Sequence, residues 1–264
     1  MLHRFSLNPQ VAWKKSTDPV TEVDYLIQAF LVESVQRTFP DCHLNIVAEE
    51  DLSFSKHPQM KECISAKIEE ARHHHSKVEA LPFGHSFKDS YQSEDICLWI
   101  DPLDCTWGLV NGMKHLTTIL VGVTHKGVPI RGVIGQPYQQ AEGKSAYQPA
   151  VVFGSCAFNS RCAFELDQQG QWRVLSGEES EEVQGKVSIG WRKLSSRCED
   201  MLEKMQCERV RSSGAGFKAL KVIRREVDSL VFVDASTCKW DSCAAEAIVR
   251  AMGGYATKPT LKSI

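Results

Sequence analysis

The 264-residue sequence has no excess of basic residues and no long apolar run. Its 31 Lys and Arg residues stand against 33 Asp and Glu residues, which gives a formal net charge of −2. Because a protein that follows a nucleic-acid backbone needs a clear basic surplus, we expect no nucleic-acid partner. The longest apolar stretches, such as residues 118–123, fall far short of the roughly 20 residues of a membrane-spanning helix. We therefore expect no membrane partner either.

The sequence also lacks a secretion-type leader and any Cys-x-x-Cys pair. The first residues, MLHRFSLNPQVAWKK, contain no apolar core of the signal-peptide type, which favours a cytoplasmic location. Ten cysteines are present, but without Cys-x-x-Cys spacing they indicate neither a structural zinc site nor a thioredoxin-type motif. We expect reduced, mostly buried thiols that pack as small apolar side chains.

The composition that remains is typical of a packed globular protein. Hydrophobic residues make up 42% of the chain and charged residues 24%, which excludes an intrinsically disordered chain. The first half is predicted to hold a helix over 19–39, buried strands over 44–48 and 96–100, and a hairpin of strands 116–124 and 128–134. Residues 53–94 form a polar stretch with a helical patch at 60–71, which we interpret as a surface excursion.

Beyond residue 187, strands and helices alternate along the chain. The predicted elements are strand 187–190, helix 195–205, strand 209–211, helix 216–225, strand 230–233 and helix 240–252. A region of antiparallel strands followed by alternating elements indicates a layered α/β fold. We expect two halves, residues 1–140 and 141–264, that form one compact unit.

Carboxylates recur at the ends of predicted strands or the starts of predicted helices: Asp18, Glu49, Glu50, Asp101, Asp104 and Asp241. Charges at such positions cannot stay buried and unpaired, because an isolated ion in a low dielectric costs several kcal/mol. Bound cations solve this problem, and hard oxygen ligands suit Mg²⁺. Two such ions about 4 Å apart can activate a water and clamp the leaving oxygen of a phosphate ester.

Helix capping is an equally strong interpretation for Asp18 and Asp241. The Asp101-Pro102-Leu103-Asp104 segment differs, because a rigid proline turn can aim both carboxylates at one point.

The residues that follow this segment offer groups to an anion. Cys105 and Thr106 carry backbone N–H groups at a predicted helix start, and Thr106 adds a hydroxyl. Thr106 is suited to hold a nucleophilic water with Glu49 as its base. The alternative is that Thr106 only caps the helix.

Four segments, in the same order along the chain, resemble the motifs of the inositol monophosphatase superfamily. They are the D-x-x-T-x-x-D pattern at 18–24, VAEED at 47–51, WIDPLDCT at 99–106 and KWDSCAAEAIVRAMGG at 239–254. The resemblance covers nearly the whole chain. It implies an αβαβα sandwich of the sugar-phosphatase type that hydrolyses small phosphate monoesters with two or three Mg²⁺ ions and is inhibited by Li⁺.

The resemblance also implies roles for individual residues. The metal ligands are expected to be Glu49, Asp101, Leu103 (through its carbonyl), Asp104 and Asp241. The catalytic residues are expected to be Glu49 and Thr106, which position the attacking water, and Asp18, which lies near a further metal ion or its waters.

The substrate is expected to meet two further segments of the chain. The amides of Cys105 and Thr106 are expected to bind the phosphate. The SSGAGFKAL segment resembles the family's pocket-lining sequence and contributes Ser213, Gly214, Ala215 and Lys218. A plain glycine-rich turn with a surface lysine is the alternative for this segment.

Two groups within the family are candidates for the activity. IVAEEDL and the strands around the D-P-L-D segment resemble the 3′(2′),5′-bisphosphate nucleotidases. They imply removal of the 3′- or 2′-phosphate of adenosine 3′,5′-bisphosphate by a metal-activated water. The KWDSCAA…RAMGG ending is nearer to inositol polyphosphate 1-phosphatase, which acts on inositol 1,4-bisphosphate. Residues 191–195, WRKLS, replace the R-S-H-S-type stretch that contacts the nucleotide in the first group, and this weakens the nucleotide assignment.

The family's first helix and its closing strand and helix are largely missing from the sequence. We therefore expect a form truncated at both ends, in which an unpaired sheet edge reduces stability. A catalytically silent, ligand-binding or defective isoform is the alternative of another class. A monomer or a homodimer is expected.

Overall fold

The computed structural model describes residues 11–15, 18–53, 90–140, 147–157, 160–166, 170–176, 185–232 and 237–257. Most of the polar stretch predicted as a surface excursion, including its helical patch, lies outside the described residues. Within the described ranges, no helix combines the length and apolar character needed to cross a membrane.

The largest sheet has seven strands in the order β3-β4-β5-β6-β7-β8-β9. These strands are β3 (Asn45–Ala48), β4 (Ile96–Asp104), β5 (Thr118–His125), β6 (Val128–Gln140), β7 (Tyr147–Ala157), β8 (Ser160–Leu166) and β9 (Trp172–Val174). The first two strands are parallel, and every later neighbouring pair is antiparallel. The predicted strands before the two acidic motifs and the predicted hairpin are confirmed.

Two smaller sheets accompany it. Strands β1 (Val11–Lys15) and β2 (Asp18–Thr21) form an antiparallel hairpin. Strands β10 (Lys186–Ile189), β11 (Glu208–Arg211) and β12 (Ser229–Leu230) form a parallel sheet with β10 in the centre.

The helices separate these sheets into layers. They are α1 (Glu22–Thr38), α2 (Thr106–Val110), α3 (Ser196–Met205), α4 (Ala215–Ile223) and α5 (Lys239–Ala251). Helix α1 packs on one face of the large sheet, and α4 and α5 pack on the other face in one continuous apolar core. Helix α4 also contacts the parallel sheet, whose apolar side chains pack with those of α3. The expected αβαβα sandwich is therefore confirmed.

Helix α1 begins three residues later than the sequence predicts. Residues 18–21 pair with β1 instead, and Thr21 caps the helix with its hydroxyl accepting from the backbone N–H of Val23 at 3.2 Å. Asp24 completes a capping box, since its Oδ2 accepts from the backbone N–H of Thr21 at 2.8 Å. The interpretation of Asp18 as the helix cap is wrong, because Thr21 occupies that position.

Three glycines allow helix α5 to lie very close to the large sheet. Gly122, Gly132 and Gly154 are direct cross-strand neighbours on β5, β6 and β7. A Cβ at Gly132 would stand 2.1 Å from the carbonyl oxygen of Ala244, which is helix backbone. The glycine row thus fixes the depth at which α5 sits, and with it the position of the first turn of that helix.

The cysteines are less buried than expected. Of the nine in the described ranges, all are free thiols, but only Cys243 is buried. The expectation of mostly buried thiols is wrong, because most of these residues lie on strands or helices at the margins of the core.

Candidate metal centre

Asp101 and Asp104 are brought together by an irregularity at the end of β4. Asp101 pairs with Leu120 and Asp104 with Thr118, so two intervening residues of β4 have no partner on β5. The backbone N–H of Leu103 donates to Asp101 Oδ1 at 3.0 Å. The segment is therefore a bulged strand end and not the predicted rigid proline turn. It still buries both carboxylates at the same edge of the sheet, where Asp101 is 1% and Asp104 is 7% exposed.

Helix α5 delivers a third carboxylate from the other end of the sequence. Carboxylate oxygens of Asp101, Asp104 and Asp241 all lie within 4.8 Å of one another. Asp241 Oδ2 also accepts from the backbone N–H of Cys238 at 2.5 Å, which caps the first turn of the helix. Asp241 therefore takes part in capping as the third residue of a capping box whose N-cap is Cys238, and it also belongs to the acidic cluster.

The three carboxylates disfavour one another's charged forms. Burial, followed by the charges of Asp104, Glu49 and Asp241, raises the pKa of Asp101 well above its ordinary value. Burial is also the main reason that the pKa of Asp241 rises to about 6. A buried group of hard oxygen donors that repel one another matches what a divalent cation such as Mg²⁺ requires. Asp101, Asp104 and Asp241 therefore fit a bound Mg²⁺.

Asp104 also joins the acidic motif to the glycine-rich segment. Its Oδ1 accepts from the backbone N–H of Ala215 at 2.9 Å, and its Oδ2 accepts from that of Gly216 at 2.8 Å. Gly214 has a φ of 79°, and a Cβ there would lie 3.1 Å from Asp104 Oδ2. The backbone N–H of Ala215, a residue expected to contact the substrate, therefore donates its hydrogen bond to Asp104.

Cys105, Ser213 and Lys218 lie around the same corner. Cys105 Sγ is 3.4 Å from Ser213 Oγ, and Cys105 itself takes a left-handed φ of 67°. Burial lowers the pKa of Lys218, while the charges of Asp104 and Asp241 oppose this change. The alternative interpretation is correct in one part, since residues 212–214 form a glycine-rich turn between β11 and α4. It is wrong in the other part, because Lys218 is half-buried and not on the surface.

Glu49 lies beside the cluster but is paired with a lysine. Lys14 Nζ on the β1–β2 hairpin is 2.8 Å from Glu49 Oε1 and also contacts Glu50. Burial lowers the pKa of Lys14, but the two carboxylates raise it overall. A metal ion at Glu49 has to compete with this ammonium group. No sequence pattern pointed to Lys14, because it stands outside all four motifs.

Thr106 is held by a carboxylate that was not among the expected catalytic residues. Its Oγ1 lies 2.9 Å from Asp24 Oδ1 and 2.9 Å from the carbonyl oxygen of Leu103. Asp24 is 1% exposed, and burial raises its pKa to about 6. Asp18 lies across from Lys15 at the start of β2, and within the described ranges no hydrogen bond joins it to the cluster. The last position of the D-x-x-T-x-x-D pattern was the signal that could have identified Asp24.

We expect Mg²⁺ to stabilise the protein more at pH 8 than at pH 5. Burial and the neighbouring carboxylates raise the folded-state pKa of Asp241 to about 6 and that of Asp101 well above its ordinary value near 4. Without Mg²⁺, the fold therefore loses stability as the pH rises through this window, and the cation offsets that loss. Thermal unfolding with Mg²⁺ or with EDTA, at matched ionic strength, measures the difference. Equal Mg²⁺-induced shifts at both pH values would contradict this expectation.

The chain is similar to known proteins in sequence and in fold. A model of the inositol monophosphatase family matches residues 2–263. The 3′(2′),5′-bisphosphate nucleotidase 1 of Homo sapiens is 30% identical over 245 residues, covering 92% of this chain and 72% of the relative. Inositol polyphosphate 1-phosphatase of Bos taurus is 27% identical over 287 residues, covering 91% and 72%.

A solved structure shares the fold. The extragenic suppressor protein suhB from Bartonella henselae aligns with a TM-score of 0.58 at 16% identity, over 94% of this chain and 76% of that one. The family model spans almost the entire sequence and contains every residue of the carboxylate cluster. The chain therefore belongs to the inositol monophosphatase family.

Proposed function

We propose that this member of the family removes the 3′-phosphate of adenosine 3′,5′-bisphosphate, or the 2′-phosphate of its 2′,5′ isomer. Family membership and the phosphatase relatives make the chain a phosphoric monoester hydrolase. The observation that carries the proposal is the cluster of Asp101, Asp104 and Asp241 beside the Thr106–Asp24 pair. The nucleotide is preferred because the human relative at 30% identity is a bisphosphate nucleotidase.

The carboxylates are proposed as the cation ligands. Asp101, Asp104 and Asp241 would hold one Mg²⁺, and Glu49, Asp101 and the Leu103 carbonyl would hold another. When bound, Mg²⁺ supplies positive charge to the phosphate oxygens and lowers the pKa of water. Two or three ions, and inhibition by Li⁺, stay predictions from the family resemblance.

Thr106 is proposed to orient the attacking water. Asp24 is ionised above its pKa of about 6, so at neutral pH it accepts a hydrogen bond from the Thr106 hydroxyl. The lone pairs of Thr106 Oγ1 are then free to accept a hydrogen bond from the water. This arrangement holds the water oxygen in one orientation, as in-line attack requires.

Glu49 is proposed as the base, once Lys14 has moved off its carboxylate. The water oxygen bonds to phosphorus, the P–O3′ bond breaks, and the water proton passes to Glu49. The 3′ oxygen takes a proton from solvent, so the products are inorganic phosphate and adenosine 5′-monophosphate. The N–H groups of Cys105 and Thr106 are proposed to bind the phosphate.

The substrate assignment is tested by comparing two bisphosphates. With Mg²⁺, we expect kcat/KM for adenosine 3′,5′-bisphosphate to be at least about tenfold that for inositol 1,4-bisphosphate. Phosphate release is measured for each, with EDTA as the control that removes the cation.

The other outcomes select among the alternatives. Hydrolysis of the inositol compound alone would replace the nucleotide with the substrate suggested by the Bos taurus relative and the KWDSCAA ending. Stabilisation by Mg²⁺ without hydrolysis of either compound would favour a silent, ligand-binding member of the family. A cytoplasmic location, a monomeric or homodimeric state and the division at residue 140 stay predictions.

A further inference from the structure

Two exposed tryptophans meet beside the metal centre. Trp107 lies in α2 directly after Thr106, and Trp191 follows Gly190 at the end of β10. Their ring centroids are 6.2 Å apart, with the ring planes at 84°. Trp107 is 41% and Trp191 46% exposed. Because tryptophan is usually well buried, two half-exposed rings in contact mark a binding surface.

The corner that these rings form lies close to the proposed phosphate site. Trp107 is joined directly to Thr106, whose hydroxyl contacts Asp24. On the other side, a Cβ at Gly190 would lie 3.7 Å from Lys218 Nζ. Lys218 in turn lies close enough to Asp104 and Asp241 for their charges to act on its pKa. Lys218 therefore lies between the carboxylate cluster and the tryptophans, within reach of a ligand that spans both.

Positive charge lies next to the same corner. Arg192 follows Trp191 and is exposed, and no ion pair within the described ranges neutralises it. Burial is the main cause of the lowered pKa of Lys218, and the charge of Arg192 lowers it further. The two cations therefore lie within electrostatic reach of each other. The corner thus offers aromatic faces together with a site for a second anionic group.

We propose that Trp107 and Trp191 form a base-binding corner that takes the nucleobase of a nucleoside bisphosphate. The base stacks on one ring with its edge against the other, and Arg192 faces the phosphate that is not cleaved. This inference rests on the proposed function and deepens it by naming the part of the substrate that is selected. In this chain aromatic stacking replaces the contacts of the R-S-H-S-type stretch that residues 191–195 lack.

The chemistry of the corner suits a base better than a cyclitol. A nucleobase presents its flat π-face to one ring and its edge to the other, and inositol has no π-face. Stacking on an aromatic side chain is worth roughly 5- to 150-fold in affinity per base. Removing one ring is therefore expected to weaken nucleotide binding by about tenfold.

The test compares ligands with and without the base. Calorimetry in the presence of Mg²⁺ measures Kd for adenosine 5′-monophosphate and for ribose 5-phosphate, neither of which is consumed as the proposed substrate. We expect the wild type to bind the nucleotide at least about tenfold more tightly, and Trp191→Ala to remove that preference. Trp191→Phe, which keeps an aromatic face, should restore most of it. KM for adenosine 3′,5′-bisphosphate should rise about tenfold in Trp191→Ala with kcat little changed.

Controls separate stacking from general damage. Tyr255 is 84% exposed beyond the last turn of α5, and Tyr255→Ala should leave both Kd values unchanged. An unchanged thermal midpoint shows that Trp191→Ala is folded. Trp107→Ala, which removes the other ring, should also reduce the preference for the nucleotide over ribose 5-phosphate. If the wild type shows no preference for the nucleotide, or if Trp191→Ala keeps it, the base-binding corner is wrong. If the wild type binds the nucleotide through Trp191 but hydrolyses no bisphosphate, the proposed function is wrong and the base-binding corner is still supported.

Discussion

Asp101→Asn is expected to lower Mg²⁺-dependent phosphate release by at least about 1000-fold. The side chain is 1% exposed and shares its surroundings with Asp104 and Asp241, whose oxygens lie within 4.8 Å. Asparagine keeps the shape but removes the charge and one hard oxygen ligand. The rate is measured as phosphate released from adenosine 3′,5′-bisphosphate at saturating Mg²⁺.

The same variant has a second expected signature, in stability. The pKa of Asp101 is raised well above its ordinary value by burial and by its acidic neighbours, so its ionised form destabilises the fold. In EDTA at pH 8, Asp101→Asn should therefore unfold at a higher temperature than the wild type, and Mg²⁺ should no longer raise that temperature. A misfolded variant would unfold at a lower temperature, which distinguishes the two causes of lost activity.

An exposed carboxylate provides the matched control for this variant. Glu203 lies on the exposed face of α3, and Glu203→Gln should change neither the rate nor the response to Mg²⁺. If Asp101→Asn retains turnover within tenfold of the wild type, the carboxylate cluster is not the centre of the reaction.

Gly132→Ala is expected to destabilise the protein by about 3 kcal/mol and to lower kcat by about 100-fold. The new Cβ would stand 2.1 Å from the carbonyl oxygen of Ala244 and 2.8 Å from its Cα. These are backbone atoms of α5, so the whole helix has to shift. Because Asp241 lies in the first turn of α5, the shift also displaces one carboxylate of the cluster. Urea unfolding at 25 °C and the phosphate-release assay measure the two effects.

Another glycine on the same strand separates crowding from the general effect of adding a methyl group. A Cβ at Gly135 would lie 3.7 Å from Ile119 Cβ, which is an ordinary contact. Gly135→Ala is expected to change stability by less than about 0.5 kcal/mol and to keep the wild-type rate. Equal effects of the two substitutions would show that the glycine row does not set the position of α5.

Much of the local structure could be predicted from the sequence because local patterns encode it. The strands before Glu49 and Asp101 and the hairpin at Lys126-Gly127 follow from apolar runs and turn residues, and they are confirmed. The family resemblance, read from four motifs, is confirmed by the match over residues 2–263. The start of α1 was wrong by three residues, because pairing with β1 recruits residues 18–21 into a strand.

The candidate site was predictable in its residue types but not in its pairings. Asp101, Asp104 and Asp241 stand in motifs and meet as the motifs indicate. The contact of Lys14 with Glu49 joins residues 35 positions apart, and that of Thr106 with Asp24 joins residues 82 apart. No local pattern records such separations, since they depend on how the hairpin and α1 pack against β4.

The sequence by itself determined which chemical groups are available, namely strand-end carboxylates of the kind that suit Mg²⁺ and one threonine after the D-P-L-D segment. It also determined the order of the elements that carry these groups. The tertiary structure alone decided which groups face one another. The glycine row sets the depth of α5 and so the place of Asp241, and the meeting of α2 with the end of β10 brings Trp107 to Trp191. The physical reason is that periodicity and turn chemistry act over a few residues, whereas close packing between layers joins residues that are distant in the chain.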